Sequence, residues 1–471
     1  MQPIDLIIQS DSQSSMPWIK VCENSPYFKT ENNKSWTPVG QNDAITWPDF
    51  QSLFGRHDFS HTERHMAFLA KHGVTCIRMM MEYCQTQHRY LENPVGRFQP
   101  NMVRFWDDMF ALCEKYSIRL LITPFDTFWM ARRWRYHPYN KRLGGPCASK
   151  YQWLSSPDMI AASKNRFTFF IERWGGSGVL FGWDLWNEID PKHAGKDLLL
   201  LNNYICEISI HIRQTEMRLY HKSHLQTVSV FAPTLQAHQM TDVIFKHPLL
   251  DFASIHMYQK SSIDYPSNAY AAACATAEIV KASILDIEDN RPFLDSEHGP
   301  ITYFSKNKKG LAETFDDKYF LYMQWAHLSS GAAGGGMRWP YRHPHTLTHG
   351  MRRAQLNMAR FTELIDWKHF KRRAINSQIK SSKTINVLGC ADANQAVLWL
   401  VSPENCKGKE RQDAVVIFEL SVYGLSPGNY QIHFWDTQTG HLEMICKTIA
   451  DENLEIDYKL SDNVAIAISR V

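Results

Sequence analysis

Val179-Leu180-Phe181-Gly182-Trp183-Asp184-Leu185-Trp186-Asn187-Glu188 is the stretch whose reading decides the fold. Its first eight residues carry a single ionisable side chain, Asp184, and two polar residues close it. A run this apolar reads as a strand covered on both faces, as expected where helices pack on both sides of a parallel sheet. The segment before it reads as a helix. Ser156-Pro157 pairs an N-capping residue type with proline at the first helical position, and Gly175-Gly176 supplies the stop. The segment after it, about 195–221, is again helical.

The same alternation extends both ways. Upstream, Trp36-Thr37-Pro38-Val39-Gly40 reads as a first strand. Ser60 with Glu63 forms a capping box that opens a helix through Lys71, ended by His72-Gly73. Residues 74–80 make a second strand, 105–116 a helix and 118–123 a third strand. Downstream, strands are expected at 226–231, 251–256, 292–296 and 332–338. Helices fall near 240, 268–288, 313–328 and 350–366. Eight strand–helix units in about 330 residues, with no Gly-rich phosphate turn after an early strand, favour a closed (β/α)8 TIM barrel over an open doubly wound sheet. The fold class is therefore α/β.

The pattern changes after residue 372. Short alternating or β-branched segments near 384–389, 395–401, 414–420, 429–435, 441–449 and 464–469 are separated by turn residues such as Ser426-Pro427-Gly428. The expected organisation is a barrel over 1–372, with 1–35 as an N-terminal extension, and an all-β sandwich over 373–471.

Composition narrows the function classes. The 471 residues carry 51 Lys+Arg against 48 Asp+Glu, and the densest basic stretch, 368–373, is too short for a nucleic-acid arm, so nucleic acid is not an expected partner. The ten cysteines form no CxxC pair, and those in apolar segments, such as Cys76, read as reduced core thiols. No apolar run reaches the ~18 residues that span a bilayer, so no membrane partner is expected. The first twenty residues lack a basic start and apolar centre, which reads as cytoplasmic if Met1 is the natural start and as secreted if a leader has been removed. With 15 Trp, 19 Tyr and 25 Phe, the chain has ample flat surface for a sugar-binding cleft, although most of these rings belong to the core.

In a parallel barrel, chemistry gathers at the C-terminal ends of the strands. Strand four ends in Asn187-Glu188 and strand seven in Leu294-Asp295-Ser296-Glu297, so two glutamates can face each other across the barrel mouth. Hydrolysis of a glycosidic bond with retention needs such a pair, about 5–5.5 Å apart, one as acid/base and one as nucleophile.

These motifs, in this order, resemble those of clan A glycoside hydrolases. The likeness is nearest to the cellulase and β-mannanase type of glycoside hydrolase family 5 and covers about residues 25–370. Trp186-Asn187-Glu188 resembles the Asn-Glu signature, which implies Glu188 as acid/base. Ser296-Glu297-His298-Gly299 resembles the nucleophile segment, which implies Glu297 as nucleophile. The segments 36–42, 73–78, His256-Met257-Tyr258 and 335–339 also fall where the clan has recognisable features.

The resemblance extends to substrate-binding residues. Asn187 is expected on the sugar 2-hydroxyl, Tyr258 on the nucleophile, and Trp339 under the cleaved sugar. His256 is expected to touch the sugar or a glutamate. Arg78, at the end of strand two, is the candidate cation that keeps Glu297 ionised. Asp126-Thr127-Phe128-Trp129 stands where many family 5 members place a histidine. Asp126 is a candidate for sugar hydroxyls, and Trp129 or Trp134 for stacking on a ring. The long aromatic loop 132–146 is expected to shape the cleft. His343 and His345 read as solvent-facing loop histidines, and neither a metal nor a cofactor is expected.

The resemblance thus implies a retaining β-glycoside hydrolase with a carbohydrate partner, endo-acting on β-mannan or β-glucan. An exo-acting mannosidase, glucosidase or galactosidase, a transglycosylase and a non-hydrolytic carbohydrate-binding barrel are the alternatives.

Overall fold

The structure is a computed structural model. It describes residues 16–56, 59–83, 89–374, 379–381, 385–401, 416–450, 453–460 and 463–471. Fully buried parallel strands form, here labelled β1 (Gly40–Asp43), β2 (Cys76–Met80), β3 (Arg119–Thr123), β4 (Leu180–Asp184) and β5 (Leu225–Thr227). They hydrogen-bond side by side in that order as a five-stranded sheet. A further parallel pair joins β6 (Ala253–Met257) to β7 (Phe293–His298). Isolated parallel bridges connect Phe231 with His256, and Arg338 with both His298 and Gln41.

Amphipathic helices alternate with these strands, among them Phe59–Lys71, Pro100–Tyr116, Pro157–Trp174, Leu198–Tyr220, Ala269–Asp286, Glu313–Ser329 and His349–Thr362. Several starts are fixed by short polar side chains that satisfy the orphan N–H groups of the first turn. The Asp197 carboxylate accepts from the amides of Leu199 and Leu200, and the Thr348 hydroxyl accepts from Met351.

Two expected strands differ. The first is not 36–40 but Gly40–Asp43, displaced because its members Gln41, Asn42 and Asp43 are polar yet buried. Its start needs glycine, since a Cβ on Gly40 would fall 1.6 Å from the Cys76 carbonyl oxygen. The expected strand at 332–338 is not a regular strand. Gly334 and Gly336 adopt positive φ, which breaks the pleat, and Arg338 alone makes bridges there.

The N-terminal segment forms a three-stranded antiparallel sheet (Ile19–Val21, Phe28–Thr30, Ser35–Trp36). Its Phe28 ring packs edge-on against Phe181 near the start of β4 and Phe252 just before β6, at 5.0 and 5.5 Å. It therefore covers the N-terminal ends of the strands, opposite the ends that carry the chemistry.

Beyond residue 372 two antiparallel sheets form. The six-stranded one runs Arg373–Ala374, Asn386–Ala391, Gln395–Val401, Val464–Arg470, Gly428–Asp436, Leu442–Ile449 in spatial order. The other consists of Ile379–Ser381, Val416–Tyr423 and Asn453–Leu460. Leu398, Ile432 and Ile466 from the first share one apolar cluster with Leu420, Val422 and Ile456 from the second. The expected strands near 384–389 and 414–420 lie partly outside the described residues, and Asn453–Leu460 was not expected.

These sheets grip the preceding helices. Asn463 Nδ2 donates to the Tyr322 hydroxyl at 2.9 Å, Trp399 packs edge-on to Tyr322, and Asn357 Nδ2 donates to the Gln438 carbonyl at 2.8 Å. A cavity of about 800 Å³ lies in this seam, lined by Ser35, Asp366, Trp367, Asn394 and Arg470 among others.

Among the described residues the cysteines are free, with Cys22, Cys76, Cys113, Cys147 and Cys390 buried. Cys84 and Cys406 lie outside the described residues. Among the described residues, no helix is long and apolar enough to cross a membrane.

Candidate functional site

Polar residues of β1 and at the C-terminal ends of β4, β5 and β7 converge on one guanidinium of β2. Arg78, on β2, is fully buried. Its Nη1 donates to Asn42 Oδ1 at 2.9 Å and to Glu297 Oε2 at 3.1 Å. Its Nη2 donates to Asp184 Oδ2 at 2.8 Å, to Asn187 Oδ1 and to Ser229 Oγ at 3.2 Å. Burial opposes the charge, but the carboxylates of Asp184 and Glu297 more than offset it and raise the Arg78 pKa. One cation therefore joins β1, β2, β4 and β7 through charge-assisted hydrogen bonds.

Glu297 closes β7, and the register with β6 shifts between Asp295 and Glu297. Its side chain is buried, with the residue only 6% exposed. Tyr258, just past β6, donates its hydroxyl to Oε1 at 2.7 Å, while Arg78 takes Oε2. Each carboxylate oxygen thus accepts one strong bond and keeps a second lone pair. Burial raises the Glu297 carboxyl, as does the neighbouring Glu188, against the pull of His256 and Arg78. The Tyr341 hydroxyl lies 2.9 Å from that of Tyr258, which leaves Tyr341 as the donor between them.

Glu188 follows β4 in a left-handed backbone conformation, φ 51°, unusual for a residue with a Cβ and a conformation found disproportionately at functional sites. Ser229 Oγ accepts its amide at 3.3 Å. The side chain keeps 20% of its surface exposed. Burial pushes its carboxyl up to about 7, opposed by Arg78 and Lys192. His256 Nδ1 lies 3.0 Å from Glu188 Oε1 and 3.7 Å from Glu297 Oε2. Burial holds His256 down to about 4, so the imidazole is neutral near pH 7. Facing oxygens of Glu188 and Glu297 lie within 4.8 Å of each other.

Asp126 is tied both to a helix start and to Asn187. It caps the helix Thr127–Arg133, accepting from the amides of Phe128 and Trp129, and accepts from Asn187 Nδ2 at 2.6 Å. Asn187 is thereby oriented at both ends, by Asp126 and by Arg78. Burial raises Asp126 to about 6.

Trp339 belongs to an aromatic cluster with Trp47 (5.0 Å, edge-on) and Tyr83 (6.3 Å), and Tyr83 in turn meets Trp129 at 5.2 Å. His345, expected in solvent, instead stacks on Trp47 at 4.9 Å, whereas His343 is exposed.

Glu188, Glu297, Arg78, Asn187, His256 and Tyr258 therefore meet in one network, with Trp339 and Trp129 linked through Tyr83. Asn42, Asp184, Ser229 and Tyr341 belong to it as well and were not singled out in the sequence. Asp184 carried a visible signal, as the lone ionisable residue of an apolar strand; the others carried none.

Among the described residues two groups could offer ligands to a metal ion: Glu188, His256 and Glu297, and the fully buried Asp295, His298 and His327. In the second group His327 Nε2 donates to Asp295 Oδ2 at 2.8 Å and His298 Nδ1 lies at the same distance. Burial works against the Asp295 charge, yet the two imidazoles hold its carboxyl well below the usual range. Asp295 Oδ1 accepts the amides of Met257 and Glu297, so this group supports the backbone that carries Glu297.

The class that this arrangement defines is an α/β fold with glycoside hydrolase relatives in three dimensions. No protein-family model matches the chain, and comparison with curated proteins gives no match. Among solved structures, a glycoside hydrolase family 5 structure from Bacteroides vulgatus aligns with a TM-score of 0.61 at 12% identity, covering 98% of this chain and 95% of that one. A family 5 mannosidase from Rhizomucor miehei in complex with mannosyl-fructose aligns at 0.53 and 12% identity, over 73% of this chain and 98% of that one. The exo-β-1,4-mannosidase Op5Man5 from Opitutaceae bacterium strain TAV5 aligns at 0.53 and 15% identity, over 73% and 62%. At these identities the shared property is the fold.

Proposed function

We propose that this protein is a retaining β-glycoside hydrolase. The observation that carries the reading is the pair Glu188 and Glu297 at the ends of β4 and β7. One oxygen from each lies within 4.8 Å of one from the other, close enough to fit the short separation that retention needs. Their surroundings differ in the sense the chemistry requires. Glu188, raised to about 7, can hold a proton near neutral pH, while Glu297 is held by Arg78 and Tyr258 in a form that can attack.

In the first step a Glu297 oxygen bonds to the anomeric carbon as the glycosidic C–O bond breaks. The Glu188 proton passes to the leaving oxygen. In the second step Glu188 takes a proton from water as that water attacks the anomeric carbon, and the ester bond to Glu297 breaks. Asn187 serves the sugar 2-hydroxyl and Trp339 the face of the cleaved sugar. His256, neutral, keeps Glu188 in place. No step calls on a metal or a cofactor.

The same reading takes the strands and the bridges at Phe231, His256, His298, Arg338 and Gln41 as an eight-stranded barrel within 1–372, followed by a sandwich over 373–471. The mannosidase names among the structural neighbours make β-linked mannan the first substrate to test, with β-glucan second. The test is reducing-sugar release by wild type and Glu297→Ala on mannan, glucomannan, β-glucans, xylan, galactan and aryl β-glycosides. Release by wild type and none by the variant is the expected result; equal release would overturn the assignment. Monosaccharide in the earliest samples would replace endo by exo action.

A further inference from the structure

Between Asp126 and Asp158 the chain has no carboxylate side chain but six cations: Arg132, Arg133, Arg135, Lys141, Arg142 and Lys150. At the chain's overall frequency of 48 Asp+Glu in 471 residues, such a stretch would hold about three acids. One-sign runs are usually disordered tails. This one is folded, as the helix Thr127–Arg133 followed by three short 3-10 turns.

Among the described residues Arg132, Arg135, Lys141, Arg142 and Lys150 make no salt bridge. Two guanidiniums lie instead over aromatic faces. Arg132 Cζ is 4.3 Å from the Phe128 ring centre and 5.7 Å from that of Trp129, and Arg135 Cζ is 4.2 Å from that of Tyr136. Phe128 and Arg132 lie one turn apart on the helix and Arg135 follows in the next 3-10 turn, and all three are exposed, Phe128 at 42%. A guanidinium over a ring can still offer its in-plane N–H fork to a carboxylate or sulfate.

This surface is anchored to the site. Asp126 caps its helix and holds Asn187, and Trp129, beneath Arg132, meets Tyr83, which meets Trp339. We propose that the Arg132–Arg135 face is an anion-binding subsite, and that the substrate is a β-linked glycan bearing carboxylate or sulfate groups. The inference rests on the hydrolase reading and adds the class of substrate. Glu188 and Glu297 repel an anion on the reacting sugar, so the charged group belongs to a neighbouring sugar.

Binding separates the two readings. Neutral, uronate and sulfated hexasaccharides on β-1,4-mannan and β-1,4-glucan backbones would be titrated by calorimetry into wild type and Arg132→Ala/Arg135→Ala. Lys20→Ala/Lys71→Ala removes the same charge outside the loop. We expect at least one acidic series to bind about tenfold more tightly than its neutral counterpart, with an advantage that shrinks as salt rises. The arginine pair should lose that advantage and the lysine pair should keep it; the uronate and sulfate arms tell which anion is read. Equal affinity for neutral and acidic chains, no binding of either, or an advantage that survives in the arginine variant would overturn the proposal. So would tighter binding of a short single-stranded DNA than of any acidic glycan. A protein that binds the acidic series through these arginines yet cleaves nothing would refute the hydrolase reading and leave the subsite standing.

Discussion

Arg78→Met tests the centre of the network directly. The substitution keeps most of the volume and removes a guanidinium that donates to Asn42, Asp184, Asn187, Ser229 and Glu297. Removing one member of a buried ion pair costs about 3–5 kcal/mol, because the remaining charge has no partner and no water. Here two buried carboxylates lose the same cation, so about 5 kcal/mol at pH 7.5 is expected. That is a third or more of the stability of most domains. The loss should also depend on pH. Burial already raises the Glu297 carboxyl, and Arg78 is one of the groups that lower it, so the variant carries a Glu297 raised further. A carboxyl whose pKa is higher folded than unfolded gains a proton on folding, so folding is favoured as pH falls. Urea unfolding followed by tryptophan fluorescence at pH 7.5 and 5.0 should therefore show a smaller difference from wild type at pH 5.0. A difference below about 1 kcal/mol at pH 7.5, or one of equal size at both pH values, would refute the view of Arg78 as a desolvated bridge between carboxylates.

Tyr258→Phe removes the hydroxyl that donates to Glu297 Oε1. A hydrogen bond to a charged group contributes about 1.5–3 kcal/mol, so kcat/KM on an aryl β-glycoside should drop roughly 10- to 150-fold, and the thermal midpoint should fall by a few degrees. In wild type, activity should fall as pH rises through about 7, when Glu188 loses its proton. Lys192→Ala removes a cation that lowers Glu188 and should move that limb upward by a few tenths of a pH unit, as read from kcat/KM profiles. Gly40→Ala places a methyl against the Cys76 carbonyl and should cost about 3 kcal/mol by forcing β1 from β2; an unchanged thermal midpoint would contradict that contact.

What could be read from the sequence follows from how local each signal is. The strands near 74–80 and 179–186 were legible because burial on both faces writes itself as an apolar run. Glu188 and Glu297 were legible because each directly follows such a run. The first strand was misplaced because Gln41, Asn42 and Asp43 are buried by partners rather than by apolarity: Asn42 holds Ser296, Met337 and Arg78, all remote in sequence. The eighth was misjudged because Gly334 and Gly336 adopt φ values no strand uses. Asp126 had a local signal, an acid one residue before a helix, which marks it as a cap. Ser229 and Tyr341 had no such mark, since their place is set by strands that meet only in the folded chain.

The hold of Asn463 and Trp399 on Tyr322, and of Asn357 on the Gln438 carbonyl, bears on any attempt to shorten this protein. Tyr322 and Trp399 are shielded by each other's half, and a chain cut near residue 372 would open that flank to water as a sticky, half-finished face. Libraries and expression vectors that treat the last hundred residues as an optional tail would recover aggregates. A replacement for either part must bring the matching surface with it.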